Sequence, residues 1–130
     1  AAPEFPSLAG KSSEGVRMNA ATMLIAEQLP EGSTERELGM AFRNLYQDRY
    51  GHAPNTFAGY AHDAVVLLAD AIRRAGSTDP AAIRDALEQT RDLVGVTSTL
   101  TFSPDNHGGV LEESSSRMVE IRDGGFVLVE

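Results

Sequence analysis

A chain of 130 residues with 42% hydrophobic residues has the length of one domain with a modest core, and with no cysteine it can form neither a disulfide nor a thiolate metal site. Its formal charge of -8, with 11 Lys and Arg scattered rather than striped, excludes nucleic acid and anionic lipid as expected partners, because both need clustered cations that release counterions. No segment approaches the roughly 20 apolar residues of a membrane span. Residues 1–20 lack the basic start and apolar core of a signal peptide, so the chain is expected to be soluble and already processed or excised.

Ala1 to Gly15 carries Pro3, Pro6, Gly10 and Gly15 around the isolated Phe5 and Leu8, which predicts an irregular or short helical lead-in. Val16, Met18 and Ala20 alternate with Arg17 and Asn19, the pattern of a half-buried strand, and Met23 to Leu29 continues as an apolar stretch of open type. Thr34-Glu-Arg-Glu reads as a capping box, with Glu37 reaching back, at the start of a helix that lines Leu38, Phe42 and Leu45 on one face and stops at Tyr50-Gly51.

The run from Phe57 to Gly76 is the most informative segment. At about 100° per residue, Ala61, Ala64, Val65, Leu68, Ala71, Ile72 and Ala75 form one apolar stripe, widened by Leu67 and Ala69. Asp63, Asp70 and Arg74 are left as a narrow polar strip, with Asp70 and Arg74 at the spacing of a surface ion pair, and Gly76 supplies the left-handed stop. So wide an apolar face expects neighbours on two sides. Asp79 and Pro80 then cap and open a further helix to about Asp92, with Ile83, Ala86, Leu87 and Thr90 inside and Arg84, Asp85 and Glu88 outside.

Past Gly95 the period changes. Val96, Ser98, Leu100 and Phe102 alternate with Thr97, Thr99 and Thr101, which predicts a strand. Ser103 to Ser116 is loop by its Pro, Asp, Asn and Gly content, and Met118–Arg122 and Phe126–Val129 flank Asp123-Gly124 as a hairpin with a type I′ turn. The fold class is α/β, with three main helices, a few strands and a C-terminal hairpin.

Candidate chemistry is sparse. His52, His62 and His107 lack partners at metal-ligand spacing, since Ala58, Val65 and Val66 occupy the positions three and four residues from His62; no metal and no cofactor are expected. His107 reads as a turn histidine bonding loop backbone. Gly108-Gly109 has no phosphate-loop context, Ser114 to Ser116 have no nucleophile elbow, and Glu112 and Glu113 read as a solvated pair rather than paired catalytic carboxylates. Phe57 and Tyr60 flank Gly59 where a loop becomes the long helix, so ligand contact near helix N-terminal amides competes with core packing or capping as their use.

Tyr50-Gly51, Phe57-Ala-Gly-Tyr-Ala-His-Asp-Ala-Val, Ala69-Asp-Ala-Ile, Asp79-Pro, Ile83-Arg-Asp-Ala-Leu-Glu, Val94-Gly-Val-Thr, Phe102-Ser-Pro-Asp-Asn-His-Gly and Met118-Val-Glu-Ile-Arg-Asp-Gly-Gly-Phe follow one another in the order seen in one family. The chain resembles the last third or so of the branched-chain amino acid (Leu/Ile/Val-type) substrate-binding proteins of ABC transporters, periplasmic binding protein type I. The resemblance implies an incomplete part of a two-lobed fold that closes on a small ligand by hinge motion and performs no bond chemistry. It places residues 1–54 and 103–130 in the C-terminal lobe and 55–102 in the N-terminal lobe, with Asn55–Phe57 and Ser103–His107 at two crossings. It further implies a periplasmic or extracytoplasmic site, an amino acid or similar small acid as ligand, an ABC permease as partner of the intact protein, and Phe57 and Tyr60 as the ligand-binding residues present. Most ligand contacts of the family lie outside this chain, so weak or no binding is expected of it alone, and its uncovered apolar surface is expected to make it a homo-oligomer, swapped or otherwise. A ligand-sensing domain of a receptor or regulator shares every motif, and a small metal-dependent hydrolase using His62, His107 and Asp63 is the remote alternative.

Overall fold

The computed structural model describes residues 2, 4–109 and 117–129. Glu112, Glu113 and Ser114 to Ser116 lie outside the described residues. The lead-in forms a short helix α1 (Glu4–Ala9) and a 3₁₀ turn (Gly10–Ser13), followed by strand β1 (Arg17–Ala20). The stretch of open type is a 3₁₀ segment (Thr22–Gln28) broken at Ile25, whose φ of -128° is not helical. Helix α2 (Thr34–Tyr50) follows, capped by the side chain of Ser33, which accepts from the Arg36 amide, and not by Thr34 as the capping-box spacing predicts. Ser33 has the extended conformation a cap needs, which puts Thr34 already inside the first turn. The helix closes on Gly51 at φ 76°.

Helix α3 (Thr56–Ala75) is capped by Asn55, whose Oδ1 accepts from the Ala58 amide, and stops at left-handed Gly76. Helix α4 (Pro80–Glu88) opens with Asp79 Oδ1 accepting from the amides of Ala81 and Ala82 at 3.0 and 3.1 Å. It ends four residues earlier than its pattern predicts, yet Thr90 beyond it remains buried, as expected of that face. The strand expected over Val96–Phe102 is not one continuous element. Two residues of it, β3 (Thr99–Leu100), pair with β2 (Leu93–Val94), while Val96, Thr97 and Ser98 form a buried loop whose backbone serves other partners. The C-terminal hairpin forms as read: β4 (Arg117–Arg122) and β5 (Gly125–Leu128) turn through Asp123 and Gly124 at φ 51° and 75°.

The larger sheet has the order β1-β4-β5, all antiparallel, with Arg17 opposite Glu120 and Ala20 opposite Arg117. Glu120 accepts from Arg17 and Arg122, and the hydrogen bonds from Arg122 and then Arg17 hold its carboxyl below the usual carboxylate range. The edge strand β5 is tied down by Gln28, which donates to the Phe126 carbonyl and accepts from the Leu128 amide. One core lies between this sheet and the 3₁₀ segment: Ala20, Ile25, Leu29 and Val119, with Met18, Phe126 and Leu128 against them. A second, smaller core joins Ala21, Met23 and Val96 to Leu24 and Phe42.

Helices α3 and α4 are joined through Arg74. Its guanidinium bonds Asp70 at 2.7 Å, as the spacing predicts, and also reaches the Ala86 carbonyl and the Thr90 hydroxyl, capping the end of α4. The side of α3 that packs begins as the polar strip at Asp63, and of the apolar stripe only the C-terminal part, Ala71, Ile72 and Ala75, is buried or half-buried. Gly59, Asp63 and Ala71 are buried and Leu67 and Asp70 half-buried, whereas Phe57, Ala61, Ala64, Val65 and Leu68 face outward on the opposite side. Val65 is 68% exposed. Leu45 on α2, expected inside, is likewise exposed. Among the described residues no helix is long and apolar enough to cross a membrane.

Asp79→Ala removes both amide contacts at the start of α4, and its stability should fall by about 1 kcal/mol in urea unfolding with little change in denaturant slope.

Candidate functional site

The first two turns of α3 gather most of the polar and aromatic groups singled out by sequence. Phe57 and Tyr60 lie on their outer side, 78% and 54% exposed, with ring centroids 6.3 Å apart and nearly edge to face. Between them Gly59 faces inward. A Cβ there would fall 2.5 Å from Met23 Sδ and 2.7 Å from the Thr97 methyl, so only glycine lets the helix approach the 3₁₀ segment and the 95–98 loop this closely. The aromatic pair is thereby held on a helix turn whose inner surface is locked.

One turn on, Asp63 is buried rather than part of a surface strip. Its Oδ1 accepts from the Val96 amide at 2.8 Å, and its Oδ2 accepts from the Thr97 amide at 2.9 Å and the Thr97 hydroxyl at 2.5 Å. Three donors and a carboxylate at that geometry form a charge-assisted cradle, which offsets the cost of taking the charge out of water. Gly95 completes it, since a Cβ at that position would sit 2.5 Å from Asp63 Oδ2. Nothing in the helical period distinguishes Asp63 from a solvated aspartate; the Gly-Val-Thr that follows β2, able to present consecutive amides, is the one signal that could have.

The three histidines do not converge. His62 places Nδ1 3.1 Å from Asp63 Oδ1 and its ring 4.9 Å from Phe42. His52 contacts the Ala53 carbonyl and the edge of Tyr46, and His107 reaches Glu88 Oε1 at 3.2 Å, a side chain rather than the loop backbone expected of a turn histidine. Among the described residues no group of three His, Cys, Asp or Glu could hold a metal ion. His107 and His62 therefore sit against different helices, and the arrangement offers no shared reacting centre to the two of them and Asp63.

Beside His62 an open apolar groove of about 430 Å³ runs along α2, lined by Leu38, Phe42, Leu45, Tyr46 and Tyr50 and floored by Val96. Phe42, Tyr46 and Tyr50 stack at successive turns with centroids 5.9 and 4.5 Å apart, a spacing that four-residue steps on one helix face produce. Phe57 and Tyr60 do not line it.

Over residues 6–125 the chain matches the family model for periplasmic binding proteins, and it belongs to that family of solute-binding proteins. No curated protein matches it. Among solved structures, an extracellular ligand-binding receptor from Rhodopseudomonas palustris HaA2 is similar at 34% identity and a TM-score of 0.86, covering 99% of this chain and 38% of its own. A protein described as a branched-chain amino acid ABC transporter from Rhodospirillum rubrum is 28% identical with a TM-score of 0.72, covering 99% of this chain and 34% of its own. A leucine-binding protein from Thermotoga maritima, at 23% identity and a TM-score of 0.73 over 98% of this chain and 33% of its own, shares the fold. The chain thus spans well under half the length of these structures and is a partial periplasmic-binding-protein fold of α/β class.

Asp63→Ala leaves two backbone amides and a hydroxyl without their acceptor, and should cost on the order of 3 kcal/mol in urea unfolding, well beyond the effect of Asp85→Ala on the surface of α4.

Proposed function

We propose that the chain is the C-terminal part of a non-enzymatic, extracytoplasmic solute-binding protein that delivers an amino acid of branched-chain type, or a similar small organic acid, to an ABC permease. The observation that carries this reading is the family match over residues 6–125, supported by the similarity to the Rhodospirillum rubrum protein. In this reading residues 1–54 and 103–130 belong to one lobe and 55–102 to the other. In support, the β1-β4-β5 sheet and its core draw on residues before 30 and after 116 and α3, α4 and the β2–β3 pair on 56–100, with the second core of Ala21, Met23 and Val96 lying between the two sets.

Phe57 and Tyr60 are the ligand-contact residues of this proposal. They are exposed apolar rings at the beginning of a helix whose other side is locked in place, and an aromatic pair so held supplies contact area to a small apolar side chain at little entropic cost. The groups that would hold a ligand's charged ends are not recognisable among the described residues, so the 130-residue chain alone should bind such a ligand weakly or not at all. Titration calorimetry with leucine, isoleucine and valine should give no heat of binding; micromolar affinity would show that this segment carries a complete site.

A second reading, a ligand-sensing domain of a receptor, draws on the Rhodopseudomonas palustris receptor to which the chain is similar. Permease and ATPase genes beside the coding sequence favour transport, and a fused signalling domain favours sensing.

The outward face of α3 bears on assembly in either case. Phe57, Ala61, Ala64, Val65 and Leu68 present a run of apolar side chains to solvent, and a second copy of the chain is the occupant we propose for it. Light scattering should show a dimer or larger species that dissociates on Val65→Lys; a monomer at every concentration would refute the proposed assembly.

A further inference from the structure

The 95–98 loop that Asp63 cradles faces a second partner. On its other side the Val96 carbonyl accepts from the Met23 amide at 3.0 Å and from the Thr22 hydroxyl at 3.0 Å, and the Thr97 carbonyl accepts from the Thr22 amide at 3.2 Å. The Val96–Thr97 peptide is therefore bound at both edges, its N–H by Asp63 of α3 and its carbonyl by Thr22 and Met23 of the 3₁₀ segment, while the peptides on either side of it give Asp63 the Val96 N–H and Thr22 the Thr97 carbonyl. Val96, Thr97, Thr22 and Met23 are all at most 3% exposed, and no buried side-chain polar atom among the described residues is left without a partner.

Two further contacts cross at the same level. Gly59 abuts Met23 and Thr97, and the His62 ring lies on Phe42 of α2. Every contact runs from the first two turns of α3, or the loop they hold, to residues 22–42. If residues 55–102 form one lobe and the segment before 54 the other, these contacts constitute a joint between lobes. The covalent crossing at Asn55 lies one helical turn away.

We propose that Asp63 is the positioning residue of an inter-lobe fastener: it orients the Val96–Thr97 peptide so that its carbonyl grips Thr22 and Met23, and thereby sets the angle at which α3, with the exposed Phe57 and Tyr60, meets the other lobe. The inference rests on the lobe assignment given above and is independent of ligand identity. The physical basis is the rigidity of the peptide plane. A carboxylate that fixes the Thr97 N–H fixes the plane of the Val96–Thr97 peptide and with it the Val96 carbonyl, and its second bond, to the Val96 N–H, holds the plane before it. Hydrogen bonds in such a chain also polarise one another, so loss of one end weakens the other.

Asp63→Asn keeps the shape but turns an amide group toward donors that need an acceptor. In amide hydrogen exchange followed by NMR, this variant should speed exchange at Val96 and Thr97 and also, by at least tenfold, at Thr22 and Met23, which do not touch Asp63. Amides of β4 and β5 should keep their protection. Coupling of this kind is reciprocal, so Thr22→Val should in turn speed exchange at Thr97. A rise confined to Val96 and Thr97, or an equal rise across the whole chain, would overturn the proposal.

The lobe angle is read separately. With no native cysteine, Asn44→Cys on α2 and Ala81→Cys on α4 accept spin labels without competition. Dipolar spectroscopy on spin-diluted samples should give one narrow distance in the parent and a broadened or displaced distribution with Asp63→Asn; an unchanged distribution would refute the role in lobe orientation even where the amide coupling holds. Neither measurement includes a ligand, so failure of the proposed transport function leaves both outcomes interpretable.

Discussion

The buried carboxylate of Asp63 is the constraint on which the rest of the arrangement depends. A carboxylate at 4% exposure is tolerable only when its charge is met by well-aimed donors, and here they are two consecutive backbone amides and the Thr97 hydroxyl, with the His62 ring nitrogen beside them. That choice has structural consequences. The loop supplying the amides cannot be a strand, because ladder pairing would have consumed them. It needs glycine at 95, because the carboxylate comes too close for a side chain, and α3 needs glycine at 59 to reach the same depth. Two glycines, one aspartate and the break between β2 and β3 are thus one feature seen from four positions.

The same constraint explains why α3 presents the first part of its apolar stripe, Ala61 to Leu68, outward. The face that α3 buries is chosen by Asp63, by Arg74 closing the end of α4, and by the close approach at Gly59. These are polar and geometric demands, and together they outrank the hydrophobic period. Burying Val65 and Leu68 would be worth about 1.5–3 kcal/mol each, and their exposure is the apolar surface for which a second copy is proposed above.

Legibility in the sequence followed the locality of the signal. Helix stops at Gly51 and Gly76, the Asp79–Pro80 start, the Asp70–Arg74 pair and the Asp123-Gly124 hairpin each depend on a few neighbouring residues, and each was readable. The cap of α2 was misplaced by one residue, because Ser33 and Thr34 are chemically equivalent candidates and only backbone conformation separates them. The strand over Val96–Phe102 was over-read for a different reason. Alternating Val, Ser and Leu with Thr looks the same whether the backbone pairs with another strand or with a buried carboxylate 34 residues earlier. The cradle of Asp63 is hidden on the same ground: it depends on a loop far along the chain, and its own helix presents Asp63 as one more polar residue between apolar neighbours.

Phe57 and Tyr60 stand in an instructive relation to this joint. They share two helical turns with Gly59 and Asp63 and are exposed there, so any change in how the inner side seats is transmitted to them as a rotation of a rigid element rather than as a local rearrangement. Proteins that close around a small ligand need contact groups whose position depends on the hinge angle, since a ligand shifts that angle only through contacts that differ between open and closed forms. In the proposed arrangement, an aromatic pair on a helix bonded across the joint has that dependence. The physical link between candidate ligand contact and candidate hinge is therefore the first two turns of the helix, which carry both the exposed aromatic rings and the buried aspartate.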